Sequence, residues 1–245
     1  MNCRIVLLSL ISAFLLLAFV VEASAQTRTV GVSVGNTFTY SAIAGWSSND
    51  PNATPPSGLV ELNKTQWLEV AVTAISGTNI TGQLTSHYKN GTEITSGGWV
   101  DVDTGGSVNL TTWFISANLV RGDLMYTLSP YNTTTINETV TRTYANGVRD
   151  TNHVNLTSVS TSSLGNLSLA TNLYWDKSTG VVVEFSTGES NQTGTHTTTW
   201  SEGLQISDSN VWTVPEFPIW TTPLIMLSAV AVIIARKRQP RRPLR

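Results

Sequence analysis

Ten asparagines stand two residues before Ser or Thr: Asn52, Asn63, Asn79, Asn90, Asn109, Asn132, Asn137, Asn155, Asn166 and Asn191. Such a triplet is the acceptor for an N-linked glycan, in which the side-chain amide nitrogen is joined to a sugar. Residues 26–214 hold 17 Asn, 34 Thr and 22 Ser, from which random order gives about five triplets. The chain has twice that number, nine of them with Thr in the third place. That excess points to an exported surface that meets an oligosaccharyltransferase. It also sets a structural demand, since each acceptor must lie in a turn or on a polar strand face.

The other suggestive spacings are weaker. Gly31-Val32-Ser33-Val34-Gly35 fits the Gly-x-Ser-x-Gly pattern of a nucleophile elbow, but that chemistry needs a strand, a sharp turn and then a helix. More strand-like sequence follows here, so Ser33 reads as non-catalytic. Asp101-Val102-Asp103-Thr104-Gly105-Gly106 begins like a calcium loop, yet Gly105 and Thr112 stand where later ligands belong. It reads as a tight turn. Arg121-Gly122-Asp123 reads as a turn before a strand Leu124-Met125-Tyr126. His87, His153 and His196 are dispersed, without His-x-His or His-Glu-x-x-His spacing. No catalytic, metal or cofactor residue is expected, and the chain reads as a non-enzyme. Trp46, Trp67, Trp99, Trp113, Trp175 and Trp200 are expected in core packing; an exposed row of them would point to sugar or lipid contact.

The two ends say where these residues reside. Arg4 precedes an apolar run, Ile5 to Val21, and Ala23-Ser24-Ala25 supplies the small-x-small site of a signal peptidase. Cleavage between Ala25 and Gln26 is expected, the alternative being an uncleaved anchor. The only cysteine, Cys3, leaves with the signal, so stability must come from a core rather than from disulfides. Near the other end, Phe217 to Ala235 is nineteen residues, about 28 Å as a helix at ~1.5 Å per residue. That length suits a hydrocarbon core of roughly 30 Å. Arg236-Lys237-Arg238 stop the run, with Arg241, Arg242 and Arg245 behind them. The basic cluster reads as the cytoplasmic end of a membrane span, leaving the rest of the chain outside.

Pro215-Glu216-Phe217, the span and the arginine cluster together resemble the archaeal PEF-CTERM sorting signal. The resemblance covers about thirty residues and implies an archaeal envelope protein whose tail is cut by an archaeosortase near that motif and replaced by a lipid. The expected organisation is a signal peptide at 1–25, an extracellular β domain at 26–210, a stalk at 211–218, a transmembrane helix at 219–235 and a basic tail at 236–245.

The elements that present the acceptors are strands. Thr, Ser, Val and Gly dominate residues 26–214, and apolar residues recur with period two. Leu68, Val70 and Val72 share one face, as do Phe38 and Tyr40, and Leu167, Leu169, Leu173 and Trp175. Val154, Leu156 and Ser158 oppose His153, Asn155 and Thr157; Val181, Val183 and Phe185 are expected inside with Val182, Glu184 and Ser186 outside. Asn90-Gly91 and Asn146-Gly147 read as type I′ hairpin turns, and Thr112 to Leu119 as the only short helix. Asp50 to Ser57, with three prolines, reads as a surface loop.

Nine or ten strands in meandering order suit an all-β fold: a curved antiparallel sheet, half-barrel or barrel, or alternatively a two-sheet sandwich. The segment from Gly31 to Tyr40 resembles the opening of uncharacterised archaeal secreted domains. The segment Tyr174 to Val181 is similar to a hairpin of lipoprotein-carrier-like half-barrels, which favours the curved sheet. Seven Lys and Arg against fourteen Asp and Glu in residues 26–214 disfavour a nucleic-acid partner. The expected function is a structural or adhesive surface protein. A curved-sheet cup for lipid, sugar or peptide is the second reading, and an extracellular hydrolase the third.

Overall fold

The computed structural model describes residues 27–128, 130, 132–144, 147–162 and 165–212. Ala25, Gln26, Pro215, Glu216, Phe217, Arg236, Lys237 and Arg238, with the span between them, lie outside the described residues. No helix among the described residues is long and apolar enough to cross a membrane.

Ten antiparallel strands form one open sheet. They are β1 (Thr37–Ser48), β2 (Thr65–Ser76), β3 (Asn79–Tyr88), β4 (Glu93–Asp101), β5 (Ser107–Val108), β6 (Glu138–Tyr144), β7 (Gly147–Ser162), β8 (Gly165–Asp176), β9 (Val182–Thr193) and β10 (His196–Ser209). Their order is β5-β4-β3-β2-β1-β10-β9-β8-β7-β6. The chain therefore starts in the middle, meanders to one edge, passes to the far edge, and meanders back until β10 pairs with β1. The edges β5 and β6 do not pair with each other, so the sheet is not a closed barrel, and all ten strands belong to one sheet rather than two.

The passage from β5 to β6, residues 109–137, decides where the core lies. Phe114 makes a bridge to Val181, Ile115 N–H donates to the Gly180 carbonyl, and Val182 N–H donates to that of Trp113. Around it two apolar clusters form. One gathers Phe38, Tyr40, Val70, Ile80, Val100, Leu110 and Phe114; the other gathers Ile115, Leu119, Tyr126, Ile136, Trp175 and Val182. The N-terminal stretch lies over the same connection, with Ala117 N–H on the Thr29 carbonyl. Gly31 is required there by close approach, because a Cβ would come within 2.5 Å of the Ser178 carbonyl oxygen. At the other end Trp212 is buried against Phe38, ring centroids 5.9 Å apart. Folded contacts thus run past residue 210.

Four local expectations need correction. The helix is α1 (Ser57–Lys64), not Thr112 to Leu119. Thr112 and Asn118 have φ of 62° and 60°, which no α-helix accepts, and the amides of Ile115, Ala117 and Asn118 bond to other parts of the chain. On β9, Val182 is buried along with Val181 and Val183. A register shift between Tyr174 and Trp175 pairs Trp175 with Val182 and Tyr174 with Glu184, leaving Val183 as the extra residue of a bulge. The bulge breaks period two, and Phe185 joins the cluster of Val182 rather than that of Val183. The Asn90-Gly91 hairpin forms, but only Gly91 has positive φ, and Tyr88 N–H closes onto the Thr92 carbonyl. This is a longer turn than type I′. The strand expected at Leu124 to Tyr126 reduces to one bridge, Leu124 to Thr135.

The other alternations hold in part: Leu156 and Leu167 are exposed, and Thr151 to Val154 are buried in succession. Leu68, Val70, Val72, Phe38 and Tyr40 are buried, and Val154 pairs with Leu173 on one face while His153 pairs with Tyr174 on the other.

Candidate functional site

The acceptor asparagines sit where strands turn or face water. Nine of the ten are exposed: Asn52, Asn63, Asn90, Asn109, Asn132, Asn137, Asn155, Asn166 and Asn191; Asn79 is half-buried. The described asparagines outside such triplets behave differently. Asn49, Asn118 and Asn210 are exposed, Asn36 and Asn172 half-buried, and Asn152 fully buried, its amide donating to the Leu119 carbonyl. Exposure is thus more frequent among the triplet asparagines, nine of ten, than among the other described ones, three of six.

Local geometry grades the acceptors. Asn90 lies at the β3–β4 tip, its Oδ1 accepting from Thr92 N–H at 2.9 Å. Asn109 Nδ2, the atom a sugar would take, donates to the Gly97 carbonyl at 2.9 Å. Asn155 Nδ2 donates to Asn172 Oδ1 at 2.7 Å, while its backbone N–H donates to Asn137 Oδ1 at 2.7 Å. The triplets at 137 and 155 thus touch each other.

Among the described residues, three cavities bear on a binding reading. Thr111, Trp113, Leu173, Val182, Phe185 and Leu204 enclose about 150 Å³. Pro55, Leu59 and Val60 enclose about 280 Å³ over Ala44 and Trp46. Both fall below the ~300–1,000 Å³ usual for small-molecule sites. A third, of about 620 Å³, lies between α1 and the β3–β4 hairpin and is lined by Glu61, Asn63, Lys64, Tyr88, Lys89 and Asn90 among others. It is bordered by two acceptor asparagines rather than by convergent catalytic groups. Trp175 and Val183, around which the binding reading would place its cup, are both fully buried.

No family model matches the chain, and no curated protein matches it in sequence.

Two histidines have carboxylate partners that their dispersal in sequence concealed. His87 Nδ1 lies 2.8 Å from Glu93 Oε1, and its ring stacks on Trp67 with centroids 4.7 Å apart. The sequence signal fell one residue short, since a two-residue turn at Asn90-Gly91 would set residue 87 opposite 94, and the longer turn sets it opposite 93. His153 Nδ1 lies 3.1 Å from Glu138 Oε1 and its Nε2 3.1 Å from Asn172 Oδ1. The Tyr174 ring stacks on His153 at 4.1 Å and carries the Arg142 guanidinium 4.1 Å from its centroid. Arg142 also pairs with Glu184 at 2.8 Å, and the Tyr144 hydroxyl donates to the same carboxylate at 3.3 Å. Burial, then the Glu184 charge, pushes the Tyr144 phenol well up, so it remains a donor. With both ring nitrogens of His153 bonded to protein, this row acts as an interlocked stack across β6–β9.

The remaining sequence motifs are turns. Ser33 N–H donates to Asn36 Oδ1 at 2.7 Å, and Ser33 itself is exposed. Asp101 Oδ1 accepts from the amides of Asp103 and Thr104, and Asp103 pairs with Arg28 at 3.7 Å. No group of three potential metal ligands occurs among the described residues. Asp123 Oδ2 accepts from Val120 N–H, tying the Arg121-Gly122-Asp123 turn. Of the tryptophans, Trp175 is fully buried and Trp99 is exposed, while Trp46, Trp67, Trp113 and Trp200 are half-buried. Trp46 and Trp200 pair across β1 and β10.

Proposed function

We propose that this chain is a glycosylated, membrane-anchored archaeal surface protein with a structural or adhesive role and no catalytic one. Signal peptidase, an oligosaccharyltransferase and an archaeosortase are the partners this reading requires. The observation that carries it is the exposure of nine of the ten acceptor asparagines, against three of six other described asparagines. A curved sheet in half-barrel form is the shape we infer for the ectodomain, with residues 219–235 as a transmembrane helix.

Mass spectrometry of the protein from its native host tests this reading. Glycans are expected on several sites, with high occupancy at Asn90 and low occupancy at Asn109 and Asn155, whose amide nitrogens are already engaged. Because Asn137 and Asn155 touch, single molecules should not carry both. The N-terminus is expected at Gln26, and a C-terminus short of Arg236 would mark tail processing. Complete absence of glycan would overturn the reading.

A second measurement addresses the anchor. Replacing Leu227 and Val230 by Asp should release the ectodomain from membranes, since each charge at mid-bilayer costs about 2.5–3.5 kcal/mol on insertion scales. Retention of that variant in the membrane fraction would assign anchoring to the N-terminal apolar run instead.

The binding-module reading rests on the small apolar cavity beside Trp113, Phe185 and Leu204. Its volume of about 150 Å³ suits a side chain or a short alkyl group, and this ranks it second.

A further inference from the structure

β6 is an edge of the sheet: β7 lies on one side of it and, among the described residues, no strand lies on the other. A free edge presents a row of unpaired N–H and C=O groups, and folded proteins commonly blunt such edges with brevity, proline, bulges or charge. The opposite edge is blunted in this way. β5 has two residues, and Asn109 beside it takes φ of 58° with its amide on the Gly97 carbonyl. β6 is blunted only by charge, at Glu138 and Arg142: it pairs with β7 over seven residues without a register break, contains no proline or glycine, and is exposed or half-buried up to Thr143.

Its side chains read the same from both directions in chemical terms. Glu138-Thr139-Val140-Thr141-Arg142 runs acid, threonine, valine, threonine, base. Two copies placed antiparallel about an axis through Val140 set Glu138 opposite the partner's Arg142, twice. They also set each Thr139 opposite the partner's Thr141, and Val140 opposite the partner's Val140. Every opposed pair in that register is of a favourable kind for antiparallel strands. Moving the axis to Thr139 or Thr141 loses both ion pairs; centring it on Glu138 or Arg142 opposes like charges. A parallel in-register pairing also opposes like charges at both positions. Within the chain each charge also has a partner on the inner side of β6, Glu138 in His153 on β7 and Arg142 in Tyr174 on β8 and Glu184 on β9, so the dimer pairs would form by exchange with these. Asn137 leans over β7, its Oδ1 accepting from Asn155 N–H, and so leaves the edge clear.

We propose that two copies of this chain associate through β6 as a two-fold dimer, joining their sheets into one. This goes beyond the surface-protein reading and does not depend on glycosylation or on the anchor.

The full-length chain in detergent, with Cys3→Ser as background, provides the test. Val140→Cys should give a disulfide-linked dimer under mild oxidation, because directly opposed Cβ atoms lie about 4.5–5.5 Å apart. Val148→Cys, exposed on β7, should remain monomeric. In sedimentation equilibrium Glu138→Arg, which opposes arginines twice, should weaken association about tenfold or more. Glu138→Arg combined with Arg142→Glu restores the palindrome and should recover the dimer, with thermal melting confirming that each variant is folded. A monomer at all concentrations, equal cross-linking at 140 and 148, or a dimer indifferent to Glu138→Arg would each overturn the proposal.

Discussion

Val182→Asp and Val183→Asp are expected to unfold the domain to a similar extent, each costing more than about 4 kcal/mol. Simple alternation predicts otherwise, with Val182 facing water and its substitution nearly free. The bulge at Val183 and the connection over it change that. Val182 is 4% exposed and Val183 0%; Val182 pairs with Trp175, its N–H reaches the Trp113 carbonyl, and its own carbonyl accepts from the Tyr40 hydroxyl at 2.7 Å. A carboxylate at either position has no cation placed to meet it, so it must ionise in an apolar cluster or stay protonated at a cost in free energy. Thermal melts of residues 26–213 decide the matter. A Val182→Asp loss within about 0.5 kcal/mol, typical of exposed sites, would show that the connection does not cover this strand.

Phe114→Ala should cost about 3–5 kcal/mol, the range for truncating a buried phenylalanine. Phe114 is 1% exposed, meets Phe38 edge-on at 6.0 Å, and its carbonyl accepts from the Tyr126 hydroxyl at 2.8 Å. Deleting the ring opens a void between the first strand and the connection that crosses to β6. Gly180→Ala attacks the same junction through the backbone. Its φ is 74°, and a Cβ there would collide with the Ile115 carbonyl oxygen, so the 113–117 stretch must move away from β9. Denaturant unfolding of both variants should show losses of comparable size. A loss below about 1 kcal/mol for Phe114→Ala would mean that this core is held by the strands alone.

Much of this protein was legible in its sequence because the signals are local. Period-two patterning in Leu68-Val70-Val72 reports the buried face directly, since side chains alternate along any extended backbone. The Asn90-Gly91 dipeptide placed a hairpin, but the opposition of His87 and Glu93 depends on the longer turn that forms there. The acceptor triplets were legible as motifs, and their exposure follows from polar strand faces and turn positions. The prolines before Ser57 marked a loop correctly but hid the two-turn helix behind it, because eight residues carry too little periodicity to declare themselves.

What the tertiary structure alone decided lies wherever distant segments meet. Thr112 to Leu119 has helix-like spacing of apolar residues, yet its amides bond to residues near 29 and near 180, and those partners cannot be inferred from the segment itself. The bulge at Val183 depends on how Trp175 packs opposite Val182, so the strand's inside and outside were set by a neighbour rather than by its own alternation. The pairing of β1 with β10, 150 or more residues apart, fixes which strands become edges. Local sequence specifies faces and turns because the backbone geometry behind them is short-range. Edge, core and crossing depend on contacts whose loop-closure cost is met only when the whole sheet assembles.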